Sequence, residues 1–391
     1  MTEPEPNRPP VFPQQAIAEG GILEAPRKTL FQESWSLFRK NRLAVAGMVI
    51  FIIFFIVAVT GVFLTTGTHP YLDPALVRLQ EKLLPPLSRP NLGILLPEEV
   101  PKLGLYLLGT DELGRDVFAR MLQGSWVSLT VGFVAVGIAV VIGILLGGIA
   151  GFFGNLRIKT GHVFALLFLG GGGYALGSAK ILLGVTLLLL GAVLVLWLKG
   201  EGRRTPAGLS FLRLNLFSID ILIVGLVDIM LCFPSFFLIL TVVALLTPSI
   251  YNVMAVIGLT SWMGATRFVR AEFLSLREQD FVTAARALGI SDWRIIFRHM
   301  IPNAMAPVLV SATIGIATAI LTEAGLSFLG FGVPPPHATW GNILSDGKDY
   351  IFDAPWLTFV PGFAILIVVL AFNLFGEGLR DALNPRLREQ R

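Results

Sequence analysis

Residues 43–66 read LAVAGMVIFIIFFIVAVTGVFLTT, twenty-four positions without a charge. About 20 apolar residues in an α-helix cross the hydrocarbon core of a bilayer. Several other stretches of this chain approach or exceed that length. Hydrophobic residues make up 54% of the sequence and charged residues 14%, against about 25% charged in soluble domains. The fold class is therefore an all-α polytopic membrane protein.

Eight spans are expected, at 43–66, 128–153, 163–179, 181–198, 218–246, 253–271, 304–325 and 357–376. The acidic, Pro-rich opening MTEPEPNRPPVFPQQ lacks the positive n-region and early apolar core of a signal peptide. Residues 1–28 read as a disordered cytoplasmic tail. Lys28, Arg39, Lys40 and Arg42 before the first span favour a cytoplasmic start. The polar segment 67–126 carries 6 Lys/Arg and 7 Asp/Glu, with no basic excess, and is placed outside. NLRIKTGH (155–162) and KGEGRRTPAGLSFLRLN (199–215) are basic and placed inside. Two spans turning near Lys180 between them, a hairpin over 163–198, preserve that parity. Eight spans put both termini in the cytoplasm.

The composition excludes several chemistries. Cys232 is the single cysteine, so neither an intrachain disulfide nor a cysteine metal site can form. His69, His162, His299 and His337 have no ligand-like spacing. The basic residues flank membrane segments, which gives no case for nucleic-acid binding. No phosphate-loop sequence occurs, so no cofactor is expected on this chain. No metal pair or Ser/His arrangement supports an intramembrane enzyme.

Several residues carry more than one reading. Gly132, Gly137, Gly143, Gly147, Gly148, Gly151 and Gly154 thread the second span; such residues let helices approach closely, in a static contact or in a seam that slides. Asp228 lies well inside the span 218–246, where Pro234 should kink the helix. An acid there is a packing contact or part of a translocation route. In GTDELGRDVF, Asp111, Glu112, Arg115 and Asp116 either pair in a compact external turn or form an outer gate or partner contact. His337 and Trp340, in the outer loop 325–356, are candidates for the same outer surface or for an interfacial anchor. Glu323 is expected to pack helices or tether a loop.

The charged stretch LREQDFVTAARALGISDWRIIFRHMIPN (276–303) lies between two apolar segments. Phe281, Ala284, Ala285 and Leu288 follow the i, i+3, i+4, i+7 spacing of one helix face. Gly289 breaks the run, Ser291 and Asp292 can cap a following turn, and a second short helix should stop before Pro302. Such a pair could lie in the membrane interface, dock in a groove on another protein, or cover the protein's own mouth.

The stretch resembles the cytoplasmic coupling loop of inner-membrane permease subunits in ABC importers. That pattern is Glu-Ala-Ala, three residues, Gly, nine residues, Ile-x-Leu-Pro. Here it reads Thr283-Ala284-Ala285, Gly289, then His299-Met300-Ile301-Pro302, with matching spacing and departures at Thr283, His299 and Ile301. LLGTDELGRDVFARMLQGSWVSLTVG (107–132), LCFPSFFLIL, LTEAGLSFLGFGVPPPHATWGNIL and FNLFGEGLRDALNPR are similar to the C-type dipeptide, oligopeptide and nickel permeases. The resemblance covers about 29–154 and 216–388.

It implies a type I ABC importer transmembrane domain over 29–391, with six core helices and an inserted hairpin at 163–198. Its coupling loop would be 272–303, with Thr283, Ala284, Ala285, Arg286, Gly289 and Pro302 as the matching residues and Ala284, Ala285 and Gly289 in close contact with an ATPase. Implied partners are a homologous permease, two cytoplasmic ATP-binding subunits that carry ATP and Mg, an extracytoplasmic substrate-binding protein near 67–126 and 325–356, and membrane lipid. The implied location is the bacterial inner membrane, and the cargo di- or oligopeptides, nickel or another small solute. The rival class is an ion-gradient-driven secondary transporter, whose best support is Asp228; a membrane scaffold or receptor subunit would not need Gly-rich spans.

Overall fold

The computed structural model describes residues 30–178, 180–199, 212 and 214–383. The expected tail at 1–28 and the terminal arginines lie outside the described residues. Helices α1 (Leu30–Lys40) and α2 (Arg42–Thr65) meet at Asn41, whose side chain accepts the Ala44 N–H at 3.1 Å. Asparagine is a preferred N-cap because its oxygen satisfies an otherwise orphaned helix donor.

After the 67–116 excursion, α3 (Val117–Phe153) begins well before the span expected at 128, because Asp116 caps it through the Phe118 N–H at 2.9 Å. At 37 residues this helix is the axis of the bundle. It packs against α2, α8 (Ile250–Thr260), α9 (Trp262–Arg277) and α12 (Ile301–Phe328). The last helix, α14 (Trp356–Leu383), closes the bundle against α2, α12 and the short α13 (Trp340–Gly347).

The expected hairpin is present as α4 (Thr160–Gly177) and α5 (Ile181–Lys199), packed chiefly on each other. It joins the bundle through an unforeseen two-stranded ribbon, β1 (Arg157–Lys159) and β2 (Asn215–Ser218), paired antiparallel. At the foot of the ribbon the Ile219 N–H donates to the Leu156 carbonyl at 3.0 Å.

Two expected spans are broken. Residues 218–246 form α6 (Ile219–Leu231) and α7 (Ser235–Leu245), bent by 80° rather than kinked. Pro234 lacks an N–H and disfavours helix at the residue before it, and it stands as the N-cap of α7. The return strand of the topology divides at Ser261 into α8 and α9. Among the described residues, four helical runs are long and apolar enough to cross a membrane (42–65, 117–153, 292–328 and 356–383), and α6–α7 makes a fifth if the bent pair counts as one. The eight expected spans are therefore not all reproduced by length and composition; α5 contributes only a shorter apolar helix over Ile181–Leu196.

Candidate functional site

At one end of the bundle, α9 leads into α10 (Asp280–Ala287), which starts from extended backbone at Gln279. Gly289 then turns the chain at φ +71°, a left-handed conformation that glycine adopts without steric cost. Helix α11 (Asp292–Ile295) follows Ser291, whose side chain makes no capping bond, so the expected cap is one of position only. Asp292 in the first turn still complements the helix dipole. The second helix does not stop before Pro302. A π-helical turn at Ile296–Met300, with the Ile301 N–H on the Ile296 carbonyl, carries it into α12. Pro302 follows directly, so the gap that its missing N–H leaves in the helical ladder falls beside the π turn. Residues 292–328 thus form one membrane-length run, to which α10 is joined through the Gly289 turn.

The expected face of α10 divides. Val282 and Ala285 are buried in a cluster with Phe152, Val269, Phe273, Ile295 and Met300, with Phe281 partly buried beside them. Ala284 is exposed and Leu288 is 80% exposed. Ala285, expected as a close contact for another subunit, instead packs inside its own chain. An eight-residue helix with apolar residues on two sides gives its periodicity two solutions, and tertiary packing selected Val282–Ala285. Arg286 stacks its guanidinium over Phe152 at 4.8 Å and lies 4.0 Å from Asp292, which binds α10 to α3 and α11. Thr283 is exposed and donates its hydroxyl to the Gln279 carbonyl at 3.1 Å. The outward surface gains two residues that sequence reasoning missed: Trp293 (59% exposed) and Phe297 (56%), stacked at 6.0 Å. Their i, i+4 spacing was the available signal.

At the other end, Asp111 is fully buried and organises a charge cluster. One of its oxygens accepts the Leu113 and Arg115 N–H groups at 2.9 Å each. The other accepts Arg115 Nε at 2.6 Å and Arg120 Nη1. Asp346 of α13 receives Arg115 Nη2 at 3.2 Å and Arg120 Nη1 at 2.9 Å. The pairing of Asp111 with Arg115 was legible as a turn; Arg120 and Asp346 were not. Asp116 stays outside the cluster as the α3 cap. Burial pushes its carboxyl up, against the opposing bonds from the Phe118 and Ala119 N–H groups.

Asp111 and Asp116 thus take the first of their two readings, inside a compact turn, while Trp340 is corrected from an outer contact to an internal residue. Trp340 is buried, donates Nε1 to the Met121 carbonyl at 3.1 Å and packs 5.2 Å from the Phe54 ring. Exposed His337 and part-buried Arg115 line a cleft of about 490 Å³ at this end of the bundle, beside Asn342 and Asp346. Asp228 takes its packing reading: it is half-exposed and paired with Arg267 at 2.6 Å, which ties α6 to α9. A second rung joins α6 to α9, with Arg270 Nη2 on Asp220 at 2.6 Å. The buried acid of α12 is Glu323, which accepts the Ser327 hydroxyl at 2.6 Å and the Ser128 hydroxyl at 3.1 Å, joining α12 to α3.

Long apolar helices with an amphipathic module joined to one of them define a multi-pass membrane protein. Residues 204–389 match the binding-protein-dependent transport system inner membrane component family, and residues 29–86 match the N-terminal TM domain of oligopeptide transport permease C. A dipeptide transport system permease protein of Alkalihalophilus pseudofirmus is 33% identical over 388 residues, 99% of this chain and 97% of that protein. One from Haemophilus influenzae is 30% identical over 364 residues, covering 93% and 97%. An oligopeptide transport system permease protein of Bacillus subtilis is 28% identical over 381 residues, covering 96% and 97%. The chain belongs to the dipeptide and oligopeptide permease family of ABC importers.

Proposed function

We propose that this chain forms half of a translocation channel for di- or oligopeptides, beside a homologous permease subunit, in a bacterial inner membrane. Both termini and the module at 280–300 face the cytoplasm, as the flanking basic residues favour. Two cytoplasmic ATPase subunits dock beneath the permease pair and carry ATP and Mg. A substrate-binding protein delivers cargo at the opposite end, where His337 and Arg115 border the outer cleft. The chain itself is non-catalytic.

One observation carries this reading: exposed Trp293 and Phe297 sit on the helical run that continues into α12, with exposed Ala284 and Leu288 joined to it through the Gly289 turn. Exposed aromatic and aliphatic residues of this kind anchor helix-in-groove contacts. Closure of the ATPases would pull on α11 and move α12 as a rigid rod, since the π turn leaves no flexible break. Arg286 and Ala285 transmit the same motion to α3 by holding α10 against Phe152. Gly289 supplies the bend that lets both short helices reach one groove.

The test is copurification of the ATPases with Leu288→Glu/Trp293→Ala, against Ala285→Ser as a packing control. Loss of the ATPases with the permease pair intact is expected only for the first variant. Retention at wild-type level would overturn the docking face. A nickel or other small-solute cargo is the second reading within the same family, separated by direct uptake assays. An ion-gradient transporter loses its main support, because Asp228 has a cationic partner in Arg267.

A further inference from the structure

The ribbon that carries the inserted hairpin also builds a cavity of about 450 Å³ at its base. The polar wall comes from Asn155, Arg157, Asn215 and Asp220. Asp220 is already neutralised, since Arg270 donates to both of its oxygens. Arg157 makes no ion pair, and the side chains of Asn155 and Asn215 make no hydrogen bond, among the described residues. The cavity therefore presents one uncompensated guanidinium and two free amides.

The remaining wall is apolar. Leu216, Phe217 and Ile221 line the cavity while remaining substantially exposed, Ile221 at 63%. Leu274 of α9 places the cavity at the same end of the bundle as α10 and α11. Gly154, at the C-cap of the apolar helix α3, places it where the chain leaves the membrane. A site with a cation, amide donors and a greasy rim at that level suits a phosphate group with a hydrocarbon tail, and basic pockets between membrane helices bind such lipid heads.

We propose that this cavity binds the headgroup of an anionic phospholipid. Arg157 pairs with the phosphate, Asn155 and Asn215 donate amide hydrogens to its oxygens, and an acyl chain runs along Leu216, Phe217 and Ile221. Free phosphate shares the polar recognition but gains nothing from the apolar rim. The neck of the insertion thereby ties the permease to a charged lipid beside the coupling module.

The experiment is native mass spectrometry of the purified full-length chain in detergent, with phosphatidylglycerol or phosphatidylcholine added. Wild type is expected to retain phosphatidylglycerol preferentially. Arg157→Ala should lower that retention about five-fold, the worth of one basic residue at an anionic surface, and Arg157→Lys should restore most of it. Because Arg157 is exposed and unpaired, an unchanged elution profile is expected for both variants. Equal retention of the two lipids by wild type, or no loss in Arg157→Ala, would overturn the proposal. Displacement of phosphatidylglycerol by excess inorganic phosphate in equal measure for wild type and Leu216→Ser/Ile221→Ser would assign the site to free phosphate instead. Retention does not depend on membrane sidedness or on cargo, so it fails or succeeds independently of the function proposed above.

Discussion

Helices α3 and α4 are both apolar and glycine-rich, yet α3 lines a seam with glycines while half of those in α4 stand in open space. In α3, Gly143, Gly147 and Gly151 recur every four residues and face α9. A Cβ at Gly147 would lie 2.6 Å from the Thr266 carbonyl oxygen and 2.8 Å from Val269 Cβ, and one at Gly151 would lie 2.5 Å from Phe273 Cβ. In α4, a Cβ at Gly170, Gly173 or Gly177 would meet nothing within 4 Å, and Gly172 is the member of the run that closely meets α5, through Leu188. Lipid offers apolar side chains no reason to leave it, so helices associate there through close packing of small residues. The bundle uses glycine for that purpose. In the hairpin Gly161, Gly172, Gly184 and Gly191 do the same between α4 and α5, but Gly170, Gly173 and Gly177 do not, and the hairpin presents Leu166, Leu182 and Leu196 outward, each at least 70% exposed.

The largest expected effect comes from filling the seam. Gly147→Leu forces α9 away from α3, with backbone rather than a flexible side chain as the obstacle. Overpacking of this kind costs about 3 kcal/mol or more. The expected result is loss of the folded permease from detergent extracts, read as aggregation on size-exclusion chromatography. A monodisperse Gly147→Leu variant with an unchanged melting profile would mean that the seam is loose enough to slide.

Second in size is the charge cluster at the opposite end of the bundle. Arg120→Ala leaves Asp111 and Asp346 sharing the single guanidinium of Arg115. Removing one member of a buried charge set costs about 3 kcal/mol. A fall in thermal midpoint is expected, whereas Arg380→Ala, which breaks an exposed pair with Glu377, should change little. Equal midpoints for the two variants would remove the cluster from the list of what holds the bundle closed.

These contrasts mark where the sequence was readable. The uncharged run from Leu43 located α2, because hydrocarbon thickness leaves little freedom of length. Gly289 was legible as a bend because a left-handed residue after a helix favours glycine. Asp111 and Arg115 were legible as a turn pair, being four apart, but Arg120 reaches Asp346 across 226 residues and no local pattern announces that. The ribbon at the neck of the hairpin was invisible for a different reason: three residues pairing with four carry too little alternation to be distinguished from loop. Ala284 and Ala285 are adjacent and chemically identical, so only packing could decide which one turns outward.

A smaller effect is expected from removing the hairpin altogether. The Leu156 carbonyl and Ile219 N–H already touch at 3.0 Å, so a short Gly-Ser turn can replace 157–218 without moving α3 or α6. Excision removes an even number of helices, which preserves the topology of everything after it. Assembly with the partner permease is expected to survive, and the preference for phosphatidylglycerol is expected to vanish with Arg157. Copurification of the excised chain measures the first outcome and lipid retention the second. A collapse of assembly would show that α4 or α5 covers a neighbour in the complex.

The smallest effect is the most discriminating, because its sign should reverse between the two helices. Gly173→Leu makes the same chemical change as Gly147→Leu, in an apolar helix of similar composition. At position 173 the new side chain enters open space, toward lipid on this reading. What remains is backbone propensity, where replacing glycine inside a helix gains about 0.5–1 kcal/mol. A slightly raised or unchanged thermal midpoint is therefore expected, with normal yield. If Gly173→Leu instead lowers the midpoint as far as Gly147→Leu does, another helix lies against that face in the folded transporter, and the hairpin belongs to the packed assembly.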